Sequence, residues 1–204
     1  MQAVETQSLI LYHTDLRGEW PGALARAFSA RLPYARRLAV SGPGESSRAS
    51  LAGIALAVRA LSDLLARRVA PSEIVFAPGE KPRLAPAGDG GAPPDFSISH
   101  SGPWVGCAAL TDGRVGFDLE WGTSARLRDW VVREAALKAS GEGVGALHAV
   151  RALEWPDGVA QWRGEPWQVM PVEVFPGAAA CVVSNCAART LGTQALALAE
   201  LFAP

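Results

Sequence analysis

Residues 104–120 of this chain read WVGCAALTDGRVGFDLE, and they predict the fold more directly than any other stretch. Two mostly apolar runs, residues 104–110 and 114–119, flank the sequence Thr111-Asp112-Gly113. Asp-Gly pairs favour tight turns, because glycine accepts a positive φ and aspartate hydrogen-bonds to its own turn. The stretch therefore predicts an antiparallel β-hairpin.

A helix is predicted directly after this hairpin, over residues 129–139. Asp129 is a plausible N-cap, because its carboxylate can accept from free N–H groups of the first turn. Gly141 and Gly143 are plausible stops, because glycine adopts the left-handed conformation that often ends helices.

The rest of the chain alternates one long helix with short strands. Apolar residues recur with helical spacing over residues 45–68, and residues 22–38 look helical or turn-rich, with an arginine cluster that we expect to be exposed. The predicted strands are 9–13, 74–76, 96–99, 149–153, 159–162, 167–174 and 179–183, with a Pro- and Gly-rich loop over 85–94. The arginines of the cluster are Arg26, Arg31, Arg36 and Arg37. This order predicts an α+β fold in two similar halves, residues 1–102 and 103–204, as a duplication.

Composition limits the class of partner and the setting. The chain has 19 basic and 20 acidic residues and is 49% hydrophobic, so it can bury a core but has no basic excess for nucleic acid or an anionic membrane. Cys107, Cys181 and Cys186 lie in apolar stretches without CxxC spacing, which favours reduced thiols. No signal-like N-terminus or long apolar run is present, and we expect a cytoplasmic protein.

Acidic residues of the predicted hairpin and helix can form a metal site. Asp118 and Glu120 are two apart in a strand and project from one face. Glu134 and Lys138 are four apart in a helix and share a stripe. If the helix lies over the hairpin, three carboxylates converge, and a hard cation such as Mg2+ with a substrate phosphate would relieve their repulsion.

Each of these pairs also has a simpler interpretation. An Asp-x-Glu at a strand end is commonly a solvated rim. A Glu and a Lys four apart are commonly a surface pair that contributes only about 0.3–0.5 kcal/mol.

Residues 96–102, FSISHSG, supply donors for an anion. Ser99, His100 and Ser101 can offer hydroxyl, imidazole and backbone N–H groups to a phosphate. The alternative is a hydrogen-bonded turn with a structural histidine. A serine hydrolase is disfavoured because the Gly-x-Ser-x-Gly elbow is missing.

The chain uses arginine for nearly all its positive charge and contains only two lysines, Lys81 and Lys138. A compact ammonium binds phosphate as a point charge and can release a proton, which a guanidinium does not do. Lys81 lies in the sequence GEKPRL at residues 79–84.

Taken in order, these motifs resemble those of the 4'-phosphopantetheinyl transferases. The match consists of FSISHS at 96–101, VGFDLE at 115–120, W-x-x-R-E-A-x-x-K-x-x-G-x-G at 130–143, and GEKPRL at 79–84. It is to the larger, surfactin-synthetase-activating type, in which one chain fuses two similar α+β halves. The resemblance extends weakly over nearly the whole chain.

The resemblance implies Mg2+-dependent transfer of the phosphopantetheine arm of coenzyme A to a serine of an acyl or peptidyl carrier protein. Asp118, Glu120 and Glu134 would hold Mg2+ on the pyrophosphate, and Glu134 or a metal-bound water would accept the serine proton. Lys138 and His100 would hold the pyrophosphate, and Lys138 could protonate the leaving phosphate.

The resemblance also implies a coenzyme A cleft between the halves and no need for a partner chain, so we expect a monomer. Its residues would be Lys81, Pro82 and Arg83 against the nucleotide, Ser99 and His100 beside the phosphates, and Arg48 and Ser50 at the 3'-phosphate, with Arg31 as a further candidate. Backbone N–H groups at the start of the long helix would assist.

Two departures from the family pattern affect these expectations. Arg133 stands where the family usually has lysine. The segment from Glu120 to Trp130 is shorter than in relatives, where it contributes to gripping the carrier protein. The alternative is therefore that the chain is a non-catalytic relative of these enzymes, which binds coenzyme A or a carrier protein in a regulatory or assembly role. An unrelated phosphotransferase acting on ATP lacks the P-loop and kinase signatures.

Overall fold

The chain folds into small β-sheets packed with helices, so the predicted α+β class is confirmed at that level. The computed structural model describes residues 9–33, 36–37, 40, 44–77, 79–86, 91–142, 146, 148, 150–152, 158–186 and 191–203. None of the helices in these ranges combines the length and the apolar composition that a membrane-spanning segment needs.

The first sheet has the strand order β11-β1-β5-β4. Its strands are β1 (Leu9–Asp15), β4 (Asp95–Ser101), β5 (Trp104–Leu110) and β11 (Leu191–Ala195). β1 pairs in parallel with β11 and antiparallel with β5, and β4 closes the other side of β5. β5 is buried along its whole length, because it has a neighbour on each edge and packing on both faces.

The second sheet has the order β6-β10-β9-β8-β7. Its strands are β6 (Val115–Trp121), β7 (Val150–Ala152), β8 (Val159–Trp162), β9 (Glu165–Pro171) and β10 (Ala178–Ser184). All of its pairs are antiparallel. A separate two-stranded ribbon consists of β2 (Ile74–Val75) and β3 (Arg83–Leu84).

The predicted hairpin between β5 and β6 is wrong. Both strands form where the sequence places them, but β5 pairs with β1 and β4, whereas β6 pairs with β10. One edge of β5 is occupied by the distant β1 and the other by β4, which precedes β5 by only two residues, so the Asp112-Gly113 turn connects two sheets rather than two neighbours in one sheet.

β4 and β6 instead meet side by side at a seam between the two sheets. Ser97 Oγ lies 3.4 Å from Phe117 O, and Ser99 Oγ lies 2.8 Å from Asp118 Oδ1. Ser101 Oγ lies 2.8 Å from Glu120 Oε2. The paired residue numbers rise together, so the strands run in the same direction. Side chains thus bridge this seam in place of a backbone ladder.

Each larger sheet packs against one long helix. α2 (Glu45–Leu64) covers the first sheet with an apolar face that consists largely of alanine, and α3 (Ala125–Ser140) covers the second sheet. Two shorter helices are α1 (Gly22–Ser29) and α4 (Leu198–Leu201). A third apolar cluster, built from β1, β5, β6 and β10, joins the two sheets.

The start of α2 agrees with the sequence, but the start of α3 does not. α3 begins four residues earlier than predicted, because Ser124 is its N-cap and accepts from Leu127 N at 3.3 Å. Asp129 lies within the helix and pairs with Arg133. Gly141, in the left-handed conformation, ends α3 as predicted. Gly143 lies outside the described residues.

Two of the described strands escaped prediction, and each is held by pairing with a strand elsewhere in the chain. β3 and β11 have weak local patterns and form by pairing with β2 and β1. Since β5 and β11 belong to the first sheet, the two sheets do not follow a division at residue 102. Parts of the predicted 85–94 loop and of the 149–153 strand lie outside the described residues.

Candidate active site

A very close approach between α3 and β6 creates the centre of the site. A Cβ atom at Gly116 would lie 1.8 Å from the carbonyl oxygen of Ala135 and 2.6 Å from the amide nitrogen of Ala139. Only glycine leaves room for the helix backbone at that position. The side chains of Glu134 and Lys138 are thereby brought down beside the polar face of β6.

Three carboxylates converge at this contact, as the sequence predicted. Asp118, Glu120 and Glu134 each offer an oxygen atom, and these oxygens all lie within 4.8 Å of one another. Asp118 is fully buried, and the other two are half-buried. An all-oxygen donor set of this kind is what Mg2+ prefers, usually completed by waters and substrate phosphate.

Asp118 is the most constrained of the three. Its Oδ1 accepts from Lys138 Nζ at 2.6 Å and from Ser99 Oγ at 2.8 Å. Its Oδ2 is buried and has no hydrogen-bond partner among the described residues. Burial raises the pKa of Asp118 from its ordinary 3.8 to about 6, against the opposing charge of Lys138 and together with repulsion from Glu134. A buried carboxylate oxygen without a partner fits a site for a cation.

Lys138 lies between two of the carboxylates. Its Nζ is 2.6 Å from Asp118 Oδ1, 3.8 Å from Glu134 Oε1 and 3.0 Å from Ser99 Oγ. The predicted sharing of one helical face by Glu134 and Lys138 is confirmed. Because this ammonium also borders a cavity, it can turn toward an anion placed there.

A cavity of about 380 Å³ lies beside Lys138, which is part of its lining. Its lining includes predicted binding residues from four separate segments of the chain, namely Ser50, Lys81, Pro82, His100 and Lys138. Partial desolvation, and then the charge of Lys138, lower the pKa of His100, so its imidazole is mainly neutral at pH 7. A neutral imidazole can donate one hydrogen bond without adding charge.

Arg36 also lines this cavity, and sequence reasoning missed it by assigning it to an exposed cluster. Its guanidinium carbon lies 4.8 Å from the ring centroid of Phe76, and its Nε is buried with no partner among the described residues. Burial lowers the pKa of Arg36. A cation stacked on an aromatic ring with an unused donor is suited to a phosphate ester. No spacing distinguished Arg36 from its neighbours.

Lys81 lines the cavity, but its ammonium is directed into the protein. Nζ donates to both carboxylate oxygens of Asp95, at 2.7 and 2.6 Å, and to Val115 O at 2.7 Å. These three bonds use the three donors of an ammonium group. Gly79, Glu80, Pro82 and the stem of Lys81 are therefore the parts of this motif that line the cavity.

The predicted partners of the 3'-phosphate are not brought together. Ser50 lines the 380 Å³ cavity, whereas Arg48 lines two other cavities and lies over Trp20, with 5.4 Å from its guanidinium carbon to the ring. Residues two apart on a helix project about 200° apart, which separates them. Arg31 lines a different cavity again, and Arg83 is exposed and does not line the one beside Lys138.

His100 connects the first cavity to a second one of about 540 Å³. This second cavity is bordered by Trp121, whose side chain is 51% exposed, and by Arg17, Arg48 and Pro103. Only residues 122–124 separate Trp121 from the start of α3, so the connection between β6 and α3 is short. His100 therefore borders both cavities, whereas Lys138 borders only the first.

No protein-family model matches this sequence, and a comparison with curated proteins finds no significant match. Function therefore has to be inferred from the residues of the site and their contacts.

Proposed function

We propose that this protein transfers the 4'-phosphopantetheine group of coenzyme A to a serine of an acyl or peptidyl carrier protein, releasing adenosine 3',5'-bisphosphate. The observation that carries the proposal is the cluster of Asp118, Glu120 and Glu134, with Lys138 between two of these carboxylates and bordering a cavity. The order of the sequence motifs supports the same activity.

The residues present fit a magnesium ion. Asp118, Glu120 and Glu134 would hold it, and the buried Asp118 Oδ2 supplies an oxygen with no other partner among the described residues. When bound, Mg2+ would neutralise charge on the pyrophosphate and so favour phosphoryl transfer.

The chain's own residues would position the diphosphate and move the protons. Oγ of the carrier serine attacks the phosphorus that bears the pantetheine arm, and the bond from that phosphorus to the adenosine bisphosphate oxygen breaks. Glu134 is a half-buried carboxylate that can take the proton from the serine hydroxyl. Lys138 can bind the leaving phosphate and return a proton to it, while His100 holds the diphosphate by a neutral hydrogen bond.

The adjoining cavity would take the nucleotide end of coenzyme A. Phe76 and Pro82 offer apolar surface, and Arg36 and Ser50 offer donors to phosphate. The pantetheine arm would then pass His100 into the second cavity, beside Trp121. This route replaces the expectation that Arg48 and Ser50 share one phosphate.

The fold proposed for this activity is a duplication of two similar α+β halves. Its support is that each larger sheet packs with one long helix, α2 or α3. The coenzyme A cleft would lie where the sheets meet, since β4 and β6 supply Ser99, His100 and Asp118 from opposite sides of the seam.

A second candidate is a relative that binds coenzyme A or a carrier protein without transferring the group. It is favoured by the three-residue connection between β6 and α3, which leaves little structure for gripping an acceptor.

Incubation with Mg2+, coenzyme A and a panel of apo carrier proteins separates the two candidates. Transferase activity predicts that a carrier gains the mass of one phosphopantetheine group, and that the gain disappears in Asp118→Ala and in chelator. Coenzyme A binding with no mass gain on any carrier would favour the binding protein. Competition between coenzyme A and ATP for the cavity tests the unrelated phosphotransferase.

A further inference from the structure

The serine hydroxyls of β4 hold the carboxylates of β6 in a regular arrangement. Ser99 Oγ donates to Asp118 Oδ1 at 2.8 Å, and Ser101 Oγ donates to Glu120 Oε2 at 2.8 Å. Both strands have a period of two, so the same face of β4 meets the same face of β6 at each step.

Each hydroxyl is itself fixed by a donor. Lys138 Nζ lies 3.0 Å from Ser99 Oγ, and Trp121 N donates to Ser101 Oγ at 3.1 Å. Each serine hydroxyl accepts one hydrogen bond and donates its own proton to a carboxylate, and the two bonds together restrict rotation of the hydroxyl. Each serine thus engages one oxygen of its carboxylate, and the buried Asp118 Oδ2 is left without a partner among the described residues.

We infer that Ser99 and Ser101 are positioning residues that orient Asp118 and Glu120 for a divalent cation. This inference rests on the proposed function, because that function requires the cation. Hydrogen bonds to ligating carboxylates fix their orientation, and losing such bonds typically lowers metal affinity about 10- to 100-fold. Ser99 then acts through Asp118 rather than by binding the phosphates of coenzyme A directly.

The seam also contains a serine that can serve as a control for variants of Ser99 and Ser101. Ser97 lies two residues before Ser99 on the same face, but its hydroxyl is 3.4 Å from the backbone oxygen of Phe117 and touches no carboxylate of the cluster. Ser97→Ala therefore removes a seam hydroxyl without removing a bond to a ligand.

The test is Mn2+ binding to the full chain without coenzyme A, measured by titration calorimetry and by loss of the free Mn2+ paramagnetic resonance signal. Ser99→Ala and Ser101→Ala should each raise the dissociation constant about tenfold, whereas Ser97→Ala should leave it within about twofold of the unaltered protein. Ser101→Thr, which keeps a hydroxyl, should restore most of the affinity. Thermal unfolding identifies any variant that fails to fold, and the half-buried Ser101 can be tested alone if Ser99→Ala does so.

The possible failures are distinguishable. If the unaltered protein does not bind Mn2+, both the proposed function and this inference are wrong. If it binds Mn2+ but both alanine variants bind equally well, only the positioning role is wrong. If Ser97→Ala loses as much Mn2+ affinity as Ser99→Ala and Ser101→Ala do, the positioning role is also wrong. The loss would then come from a general disturbance of the seam.

Discussion

Lys81 and Asp95 form a clamp across the seam between the two sheets. Lys81 Nζ binds both carboxylate oxygens of Asp95, at 2.7 and 2.6 Å, and the carbonyl oxygen of Val115 at 2.7 Å. Asp95 Oδ2 in turn accepts from Val115 N at 2.8 Å. The pair therefore satisfies both backbone polar groups of the first residue of β6, on an edge that lacks a strand partner.

Lys81→Met should mainly destabilise the protein. The change leaves Asp95 as a largely buried charge without its cation, and breaking one side of such a pair costs about 3 kcal/mol or more. Urea unfolding measures the effect. Lys81→Met combined with Asp95→Leu should recover part of the loss, because no uncompensated charge remains. If Lys81→Met is as stable as the unaltered protein and only its affinity for coenzyme A is lower, the result would contradict this structural role. Lys81 would then contact the nucleotide, as the sequence predicted.

Gly116→Ala should prevent α3 from docking on β6. The new methyl group would lie 1.8 Å from Ala135 O, and this contact involves backbone atoms that cannot rotate away. We expect a loss of about 3 kcal/mol in unfolding free energy, or failure to fold. Gly192→Ala is the matched control, because its nearest neighbour atom would lie at an ordinary 3.6 Å. Equal stability of the two variants would show that the close approach is mistaken.

Asp118 should make the metal-free protein less stable as the pH rises from about 4 to about 6. Its pKa is raised from 3.8 to about 6 by burial, so the folded protein holds this proton more tightly than the unfolded chain does. Stability falls with pH wherever the folded state binds more protons, and two pKa units correspond to about 2–3 kcal/mol. Asp118→Asn should remove this slope and be the more stable protein above pH 6.

The Asp118 prediction is tested by urea unfolding at several pH values in the presence of a chelator. The quantity to compare is the free energy of unfolding of the unaltered protein and of Asp118→Asn at each pH. Asp129→Asn, which alters an exposed carboxylate of α3, controls for a general effect of removing negative charge. A difference for Asp118→Asn that does not change between pH 4 and 7 would contradict the raised pKa.

Arg36→Met should weaken coenzyme A binding about 10- to 100-fold. A hydrogen bond from a guanidinium to a charged group contributes about 1.5–3 kcal/mol, and Arg36 lines the cavity and has a buried Nε without a partner among the described residues. Arg83→Met is the control, since Arg83 is exposed and does not line that cavity. Calorimetric titration with coenzyme A measures both. If Arg36→Met binds coenzyme A as tightly as Arg83→Met does, Arg36 does not contact the ligand.

Local patterns predicted the centre of the site well, because its geometry depends on short-range periodicity. Asp118 and Glu120 are two apart in a strand, and Glu134 and Lys138 are four apart in a helix, so each pair had to share a face. What joins the pairs is Gly116, whose lack of a side chain lets α3 meet β6.

The pairings of β5 with β1 and of β6 with β10 could not be predicted, because they join residues far apart in the chain. The Asp112-Gly113 pair suggested a β5–β6 hairpin, but β5 forms its hairpin with β4, across Gly102 and Pro103. The same limit applies to the individual cations. Lys81, which was expected to lie against the nucleotide, is bound by Asp95, and Arg36, which was expected to be exposed, packs on Phe76.

The most direct test of the central claim is a crystal structure of the protein soaked with Mn2+ and coenzyme A, with anomalous data. We expect one anomalous peak, from an ion bound by carboxylate oxygens of Asp118, Glu120 and Glu134, with the diphosphate beside it and Lys138 Nζ turned from Asp118 toward a phosphate oxygen. Coenzyme A bound elsewhere, or Mn2+ bound without these three carboxylates, would contradict it.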